Sequence, residues 1–182
     1  MRRSKAQKLI TLLAFADILS AISYIIGAIN YLEHYNANSG CEDFKNICVV
    51  QSFLNIWSSI ATYVFTSILA FHFLLTVSQG SNFGQKMKKL FGWITAGPVY
   101  ICAGWMLPFV FATIFLMINK LGYYVASTWC YIDFDYRKGV IDADLIVTIL
   151  FGGWLWELLA LFITSVSCLS TLVTSRRLRV SS

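Results

Sequence analysis

From Cys48 to Val77 the chain is apolar enough to cross a membrane, yet the polar residues within it are not scattered. Ser52, Asn55, Ser59, Thr62 and Thr66 follow one another at steps of three, four, three and four, which on an α-helix is a single stripe. Phe53, Trp57, Ile60, Val64, Ile68 and Phe71 occupy the opposite face. A hydroxyl or amide turned toward acyl chains finds no partner there, so a stripe of this kind is expected to face other helices. The segment therefore predicts a helical bundle within a bilayer.

Three further apolar runs agree with it. Residues 9–32, 47–77, 91–118 and 145–173 each exceed the roughly 20 residues that cross about 30 Å of hydrocarbon at 1.5 Å per residue. The whole chain of 182 residues is 58% hydrophobic and only 13% charged, against about 25% charged in soluble domains. The expectation is an all-α membrane protein with four transmembrane helices and no separate soluble domain. The first run is too long for a signal peptide and lacks a small-residue cleavage site, so it reads as a span.

The net charge of +5 could point to nucleic acid, but its placement points to topology. Arg2, Arg3, Lys5 and Lys8 precede the first run, Lys86, Lys88 and Lys89 separate the second from the third, and Arg176, Arg177 and Arg179 follow the fourth. These are most of the 14 basic residues, and no acidic residue stands among them. Glu33, Glu42, Asp43, Asp133, Asp135, Asp142 and Asp144 lie in the two intervening loops. The positive-inside rule then places both termini and the 78–90 loop in the cytoplasm and the acidic loops outside. Lys86, Lys88 and Lys89 are expected to set this topology, helped by anionic lipid headgroups. No nucleic-acid partner is expected.

Two acids fall deep within spans. Asp17 lies about 12 Å along the first helix from Leu9, and Glu157 about 18 Å along the fourth from Leu145. A carboxylate at that depth costs roughly 2.5 to 3.5 kcal/mol on insertion scales, so both should face the bundle interior. Ser20, Tyr24, Gly27 and Tyr31 continue the Asp17 face, and Gly153, Thr164, Cys168 and Thr171 that of Glu157. Trp154 and Trp156 flank Glu157 and either line a cavity or anchor packing. In the third span Pro98 and Pro108 each remove a backbone donor and bend the helix, while Gly97 and Gly104 suit close packing.

An oxidising outer face allows Cys48, at the top of the second span, to pair with Cys130 of the second outer loop. Cys41 competes for either partner, and spacing alone does not decide between them. Cys102 and Cys168, inside spans, are expected to be buried reduced thiols. Enzyme signatures are absent: there is no HExxH or CxxC, the Gly80-Ser81-Asn82-Phe83-Gly84 run lacks the ending of a phosphate loop, and His72 has no companions for a metal. No cofactor is expected.

The Leu-x-x-Ala-Asp-Ile-Leu-Ser pattern around Asp17, the Cys48-Val49-Val50-Gln51 opening of the second span, Trp129-Cys130-Tyr131-Ile132-Asp133 and Leu155-Trp156-Glu157-Leu158 together resemble a seven-helix G-protein-coupled receptor. The resemblance covers nearly the whole chain and is nearest to an orphan member of the group related to amoebal cyclic-AMP receptors. It implies that the four runs correspond to helices two to five of that bundle, as a fragment or shortened form in the plasma membrane. It also implies an unknown extracellular ligand bound under the Cys130 loop and a heterotrimeric G protein on the cytoplasmic side, where Lys86, Lys88 and Lys89 would contact the G protein or lipid headgroups. Asp17, Asn55, Ser59, Thr62, Thr66 and Glu157 would form the polar interior. Leu74-Leu75-Thr76-Val77-Ser78 stands where rhodopsin-like receptors carry Asp-Arg-Tyr, so no ionic lock is implied. The alternatives are a four-span scaffold or adaptor without signalling, and a proton or cation carrier using Asp17 and Glu157.

Overall fold

The computed structural model describes residues 4–37, 45–78, 82–93, 97–123, 130–132 and 150–180. Cys41, Trp129, Gly80, Ser81 and the loop acids Glu42, Asp43, Asp133, Asp135, Asp142 and Asp144 lie outside the described residues. The chain is an all-α membrane bundle, with spans at Lys5–Leu32, Asn46–Val77, Pro98–Met117 and Leu155–Val173. One short antiparallel strand pair lies at the end of the bundle opposite the basic segments.

Helix α1 (Lys5–Ala37) begins at a reciprocal cap, in which the Ser4 amide donates to Gln7 Oε1 (2.9 Å) and the Gln7 amide donates to Ser4 Oγ (3.3 Å). Helix α2 (Lys45–Val77) has the same 33 residues, so each is about 50 Å long and projects beyond the hydrocarbon. Helix α3 (Asn82–Phe91) is short and basic, and α4 (Gly97–Met117) is just long enough to span. Strands β1 (Leu121–Tyr123) and β2 (Cys130–Ile132) pair with Gly122 opposite Tyr131, and α5 (Leu155–Val180) closes the described chain.

Helix α4 stops in a left-handed turn. Asn119 takes φ 52°, and the amides of Asn119 and Lys120 return to the carbonyls of Leu116 (3.1 Å) and Phe115 (3.0 Å). Asparagine tolerates this region better than other side-chain-bearing residues, and the two bonds satisfy carbonyls the helix end would leave bare. The turn sends the chain directly into β1.

Helix α2 is the axis, with α1, α4 and α5 packed around it. Leu9 and Ala16 of α1 meet Ala61, Phe65 and Ile68 of α2 and Tyr100 of α4 in one core, toward the basic end. Ile56 and Ile60 meet Ala112 and Phe115 of α4 and Leu121 of β1 in the other. The face of α2 opposite its polar stripe thus packs on α4. A run of edge-to-face rings lines that contact, with Trp57 on Trp105 (5.8 Å between centroids) and Phe109 (5.4 Å), Phe53 on Phe109 (5.8 Å) and Phe65 on Trp105 (5.6 Å). Gly104 is buried against Phe65, and a Cβ there would enter that ring.

Several sequence expectations change at this stage. The third run does not begin a span at 91, because 82–91 folds as its own helix and α4 starts at Gly97. Pro98 consequently sits in the first turn of α4, where no amide donor is required, and does not bend a span. Pro108 is the interior proline. Within the turn it interrupts, Trp57 Nε1–H donates across to the Trp105 carbonyl (3.2 Å). In the fourth run a π-helical turn, Leu150–Trp154, precedes α5, so the step from Gly153 to Glu157 crosses a change of helical pitch. Cys102 and Cys168 are free thiols, as expected, but both are exposed, since no described element covers them.

Candidate functional site

The α1–α2 contact is a polar seam between antiparallel helices. Ser23 Oγ donates to the Gln51 carbonyl (3.1 Å), Ser20 Oγ to Ser58 Oγ (2.9 Å), and Thr62 Oγ1 to Asp17 Oδ1 (2.9 Å). The three residues from Asp17 to Ser20 on α1 match one turn back along α2, from Thr62 to Ser58, and the three from Ser20 to Ser23 match about two turns, to the Gln51 backbone, so the bonds run down one antiparallel seam. Ser58 meanwhile donates to its own Leu54 carbonyl (2.7 Å). The buried stripe of α1 is Leu9, Ala16, Ser23 and Asn30, seven residues apart, with Gly27 closed over by the Gln51 side chain. Asp17, Tyr24 and Tyr31 stand at the border of that stripe and are exposed.

That border opens onto a trough. Asn55, Ser59, Thr62 and Thr66 of α2 are half-buried along its floor, with Ser59 Oγ donating to Asn55 Oδ1 (3.4 Å). Asp17 and Tyr24 form one wall. Helix α5 packs against α2 beside this floor and forms the other wall. Glu157 itself is exposed. Toward the basic end the trough becomes a groove of about 560 Å³, where Thr66, Leu69 and Phe73 of α2 face Thr164, Cys168 and Thr171 of α5. Both deep acids thus border the same open side of α2, on separate walls. Among the described residues, no group of three or more His, Cys, Asp or Glu comes together to hold a metal ion.

The end of the bundle that carries the strand pair is closed. Cys48 and Cys130 form a disulfide with Cα atoms 5.2 Å apart, which fixes β2 to the top of α2. Ser52 Oγ donates to the Cys48 carbonyl (2.8 Å) and at longer range to that of Gly122 in β1 (3.4 Å). Asn30 Nδ2 reaches Cys130 Sγ (3.8 Å), so α1 also joins the clasp. Asn30 Oδ1 and Gln51 Oε1 are buried here and accept no hydrogen bond among the described residues. Each is a place for a donor.

The remaining sequence candidates are distributed as follows. Trp156 is half-buried, packs edge-to-face on Phe111 of α4 (5.2 Å) and donates through Nε1–H to the Phe151 carbonyl (2.9 Å). Trp154, in the π turn, is 64% exposed. Lys86, Lys88 and Lys89 are exposed on α3, away from the trough. Ser23, Asn30, Gln51 and Ser58 were not among the candidates. The seven-residue spacing that ends in Ser23 and Asn30 was the available signal for the first two, and Gln51 stood unassigned in the Cys48-Val49-Val50-Gln51 motif.

The class these features define is a multi-pass helical membrane protein whose central helix is clasped at one end and open along one side. Within that class the chain is similar to G-protein coupled receptor 157 of Homo sapiens, at 27% identity over 161 residues, which take in 87% of this chain and 42% of that receptor. It is similar to G-protein coupled receptor 157 of Mus musculus and of Rattus norvegicus at 25% identity over 164 residues, again 42% of each. The chain therefore spans less than half the length of the curated relatives it matches. No protein-family profile matches it.

Proposed function

We propose that this chain supplies helices two to five of a seven-helix receptor of the cyclic-AMP-receptor-like group. Such a receptor would pass the binding of an extracellular ligand to a heterotrimeric G protein at the cytoplasmic side of the plasma membrane. The observation that carries the reading is the open polar trough. Asp17, Thr62, Asn55, Ser59, Thr66 and Glu157 make an interior-type lining on a side that no described helix covers. Further helices seated over that side would desolvate the lining and complete a cavity beneath the disulfide clasp. Similarity to G-protein coupled receptor 157 over most of this chain supports the same reading. The basic ends of α1, α3 and α5 would then lie in the cytoplasm. A ligand gripping the trough would act by favouring one of two arrangements of the helices around it.

The test is resonance energy transfer between the chain, expressed together with the remaining helices of a related receptor, and each heterotrimeric G-protein class in cells, with matched surface expression of Asp17→Asn and Glu157→Gln variants. Recruitment of at least one class, changed by either variant, is the expected result. Absence of recruitment in all classes from chain that reaches the surface would remove the receptor reading and leave a four-span scaffold.

A further inference from the structure

Helix α3 takes no part in the trough or the clasp, and its own design is specific. It is tied to the membrane on both sides, since α2 ends at Val77 and the next span begins at Pro98. Its apolar residues Phe83, Met87, Leu90 and Phe91 follow at steps of four, three and one, which is one stripe on a helix. Lys86 and Lys88 fall on either border of that stripe and Lys89 behind it. Met87 is half-buried, whereas Leu90 is 63% exposed and Trp93, just past the helix, 62% exposed, so these two apolar side chains stand clear of the described bundle. The three lysines are exposed as well, and the two in the last turn complement the helix dipole. Exposed Leu90 and Trp93 bordered by lysines do not rest in water at low cost, but they fit the boundary between acyl chains and headgroups. There the lysine stems lie along hydrocarbon while the ammonium groups reach phosphate.

We propose that α3 is an interfacial helix that seats Met87, Leu90 and Trp93 in the bilayer boundary and holds anionic phospholipid headgroups through Lys86, Lys88 and Lys89. Charge complementarity extends around the same end of the bundle. Lys5 and Lys8 of α1 and Arg176 of α5 are exposed there, and no acidic residue occurs in 1–8, 78–92 or 174–182. Each lysine near a negatively charged leaflet multiplies affinity about fivefold, so the three together are worth on the order of 100-fold. The inference requires that the chain span a membrane and does not require that it signal.

The full chain, with Cys41→Ser, Cys102→Ser and Cys168→Ser, is reconstituted in lipid nanodiscs of phosphatidylcholine alone or of equal parts phosphatidylcholine and phosphatidylserine. A nitroxide is attached through Leu90→Cys or, on the polar face, Gln85→Cys. Position 90 should collide with oxygen more than with an aqueous nickel chelate, and more so in the serine-containing discs, whereas position 85 should show the reverse. Replacing Lys86, Lys88 and Lys89 together by alanine should abolish the difference between the two lipids at position 90. Aqueous exposure of position 90 equal to that of position 85 in both discs would overturn the proposal. So would protection of position 90 that appears only when a heterotrimeric G protein is added, since α3 would then be a protein dock. A lipid difference that survives loss of all three lysines would overturn the headgroup assignment.

Discussion

A serine or threonine in a membrane helix brings its own acceptor within reach. Ser67, Thr76, Thr113 and Thr171 each donate to the carbonyl four residues earlier, at 2.8 Å in every case. Hydroxyl stripes therefore say less about neighbouring helices than carboxyl and amide groups do, because Asp17, Asn30 and Gln51 have no such local solution. Asp17 depends on Thr62 of the next helix, and an interhelical bond of this kind is worth about 1 kcal/mol. Thr62→Val is expected to lower stability by about that amount in detergent thermal unfolding. Asp17→Asn keeps the acceptor and removes the charge, and because Asp17 is exposed beside the trough it should leave stability nearly unchanged. A larger loss in Asp17→Asn than in Thr62→Val would mean that the charge itself has a partner. At Gln51 the under-satisfied amide makes a sharper test. Gln51→Leu removes a buried acceptor that bonds nothing and should leave stability unchanged or raise it slightly, whereas Gln51→Glu should cost several kcal/mol by burying a charge. If Gln51→Leu keeps the melting temperature and loses G-protein recruitment, the orphan oxygen serves a ligand.

The existence of the four spans was legible in the lengths of the apolar runs, because nothing else in a membrane satisfies the backbone of some twenty apolar residues. Their boundaries were not. Run length does not distinguish Phe91 at the end of a surface helix from the first residue of a span, and so α3 was absorbed into the third run and Pro98 took an interior role it does not have. The α1 face was read about one residue off. Asp17 was taken as its centre, while packing centres on Ala16, Ser23 and Asn30, since small and uncharged groups allow α2 the closer approach. Gly104 was placed correctly as a packing residue, and its partner Phe65 could not be read without the fold. Gly104→Val should push on the Phe65 ring and cost about 1 to 3 kcal/mol. Phe65→Ala in the same chain should recover part of that loss, and a double-mutant cycle with no coupling would show that the two do not meet. The disulfide joins points 82 residues apart, and cross-links that close long loops constrain the unfolded chain most. Cys130→Ser is expected to cost about 2 to 5 kcal/mol and to release the β1–β2 pair to protease while the spans stay protected.

At the scale of the whole molecule the bundle is asymmetric: α2 is wrapped on the α4 side and bare on the side between α1 and α5. The polar composition of the bare side was legible as the Asn55 to Thr66 stripe and the two deep acids, but their exposure was not, because a stripe on one helix does not reveal whether its neighbours are in the same segment of chain. Left alone in a bilayer, the trough would set Asp17, Glu157 and the threonines against lipid, at a cost of order 1 kcal/mol for each unmade bond. The isolated chain is therefore expected to reach the cell surface poorly and to gain surface expression when the remaining helices of a related receptor are expressed with it. The two exposed thiols among the described residues report whether those helices occupy the trough. Cys168 lines the groove between α2 and α5, whereas Cys102 lies on α4, outside that groove. Helices seated over the trough should slow the reaction of Cys168 with a membrane-permeant maleimide several-fold and leave Cys102 unchanged, since a thiol reacts only where reagent and base can reach it. Equal slowing of both would indicate general compaction or aggregation. No slowing of either, in chain whose surface expression had risen, would mean that the added helices assist the fold without covering its polar side, and the seven-helix reading would lose its structural basis.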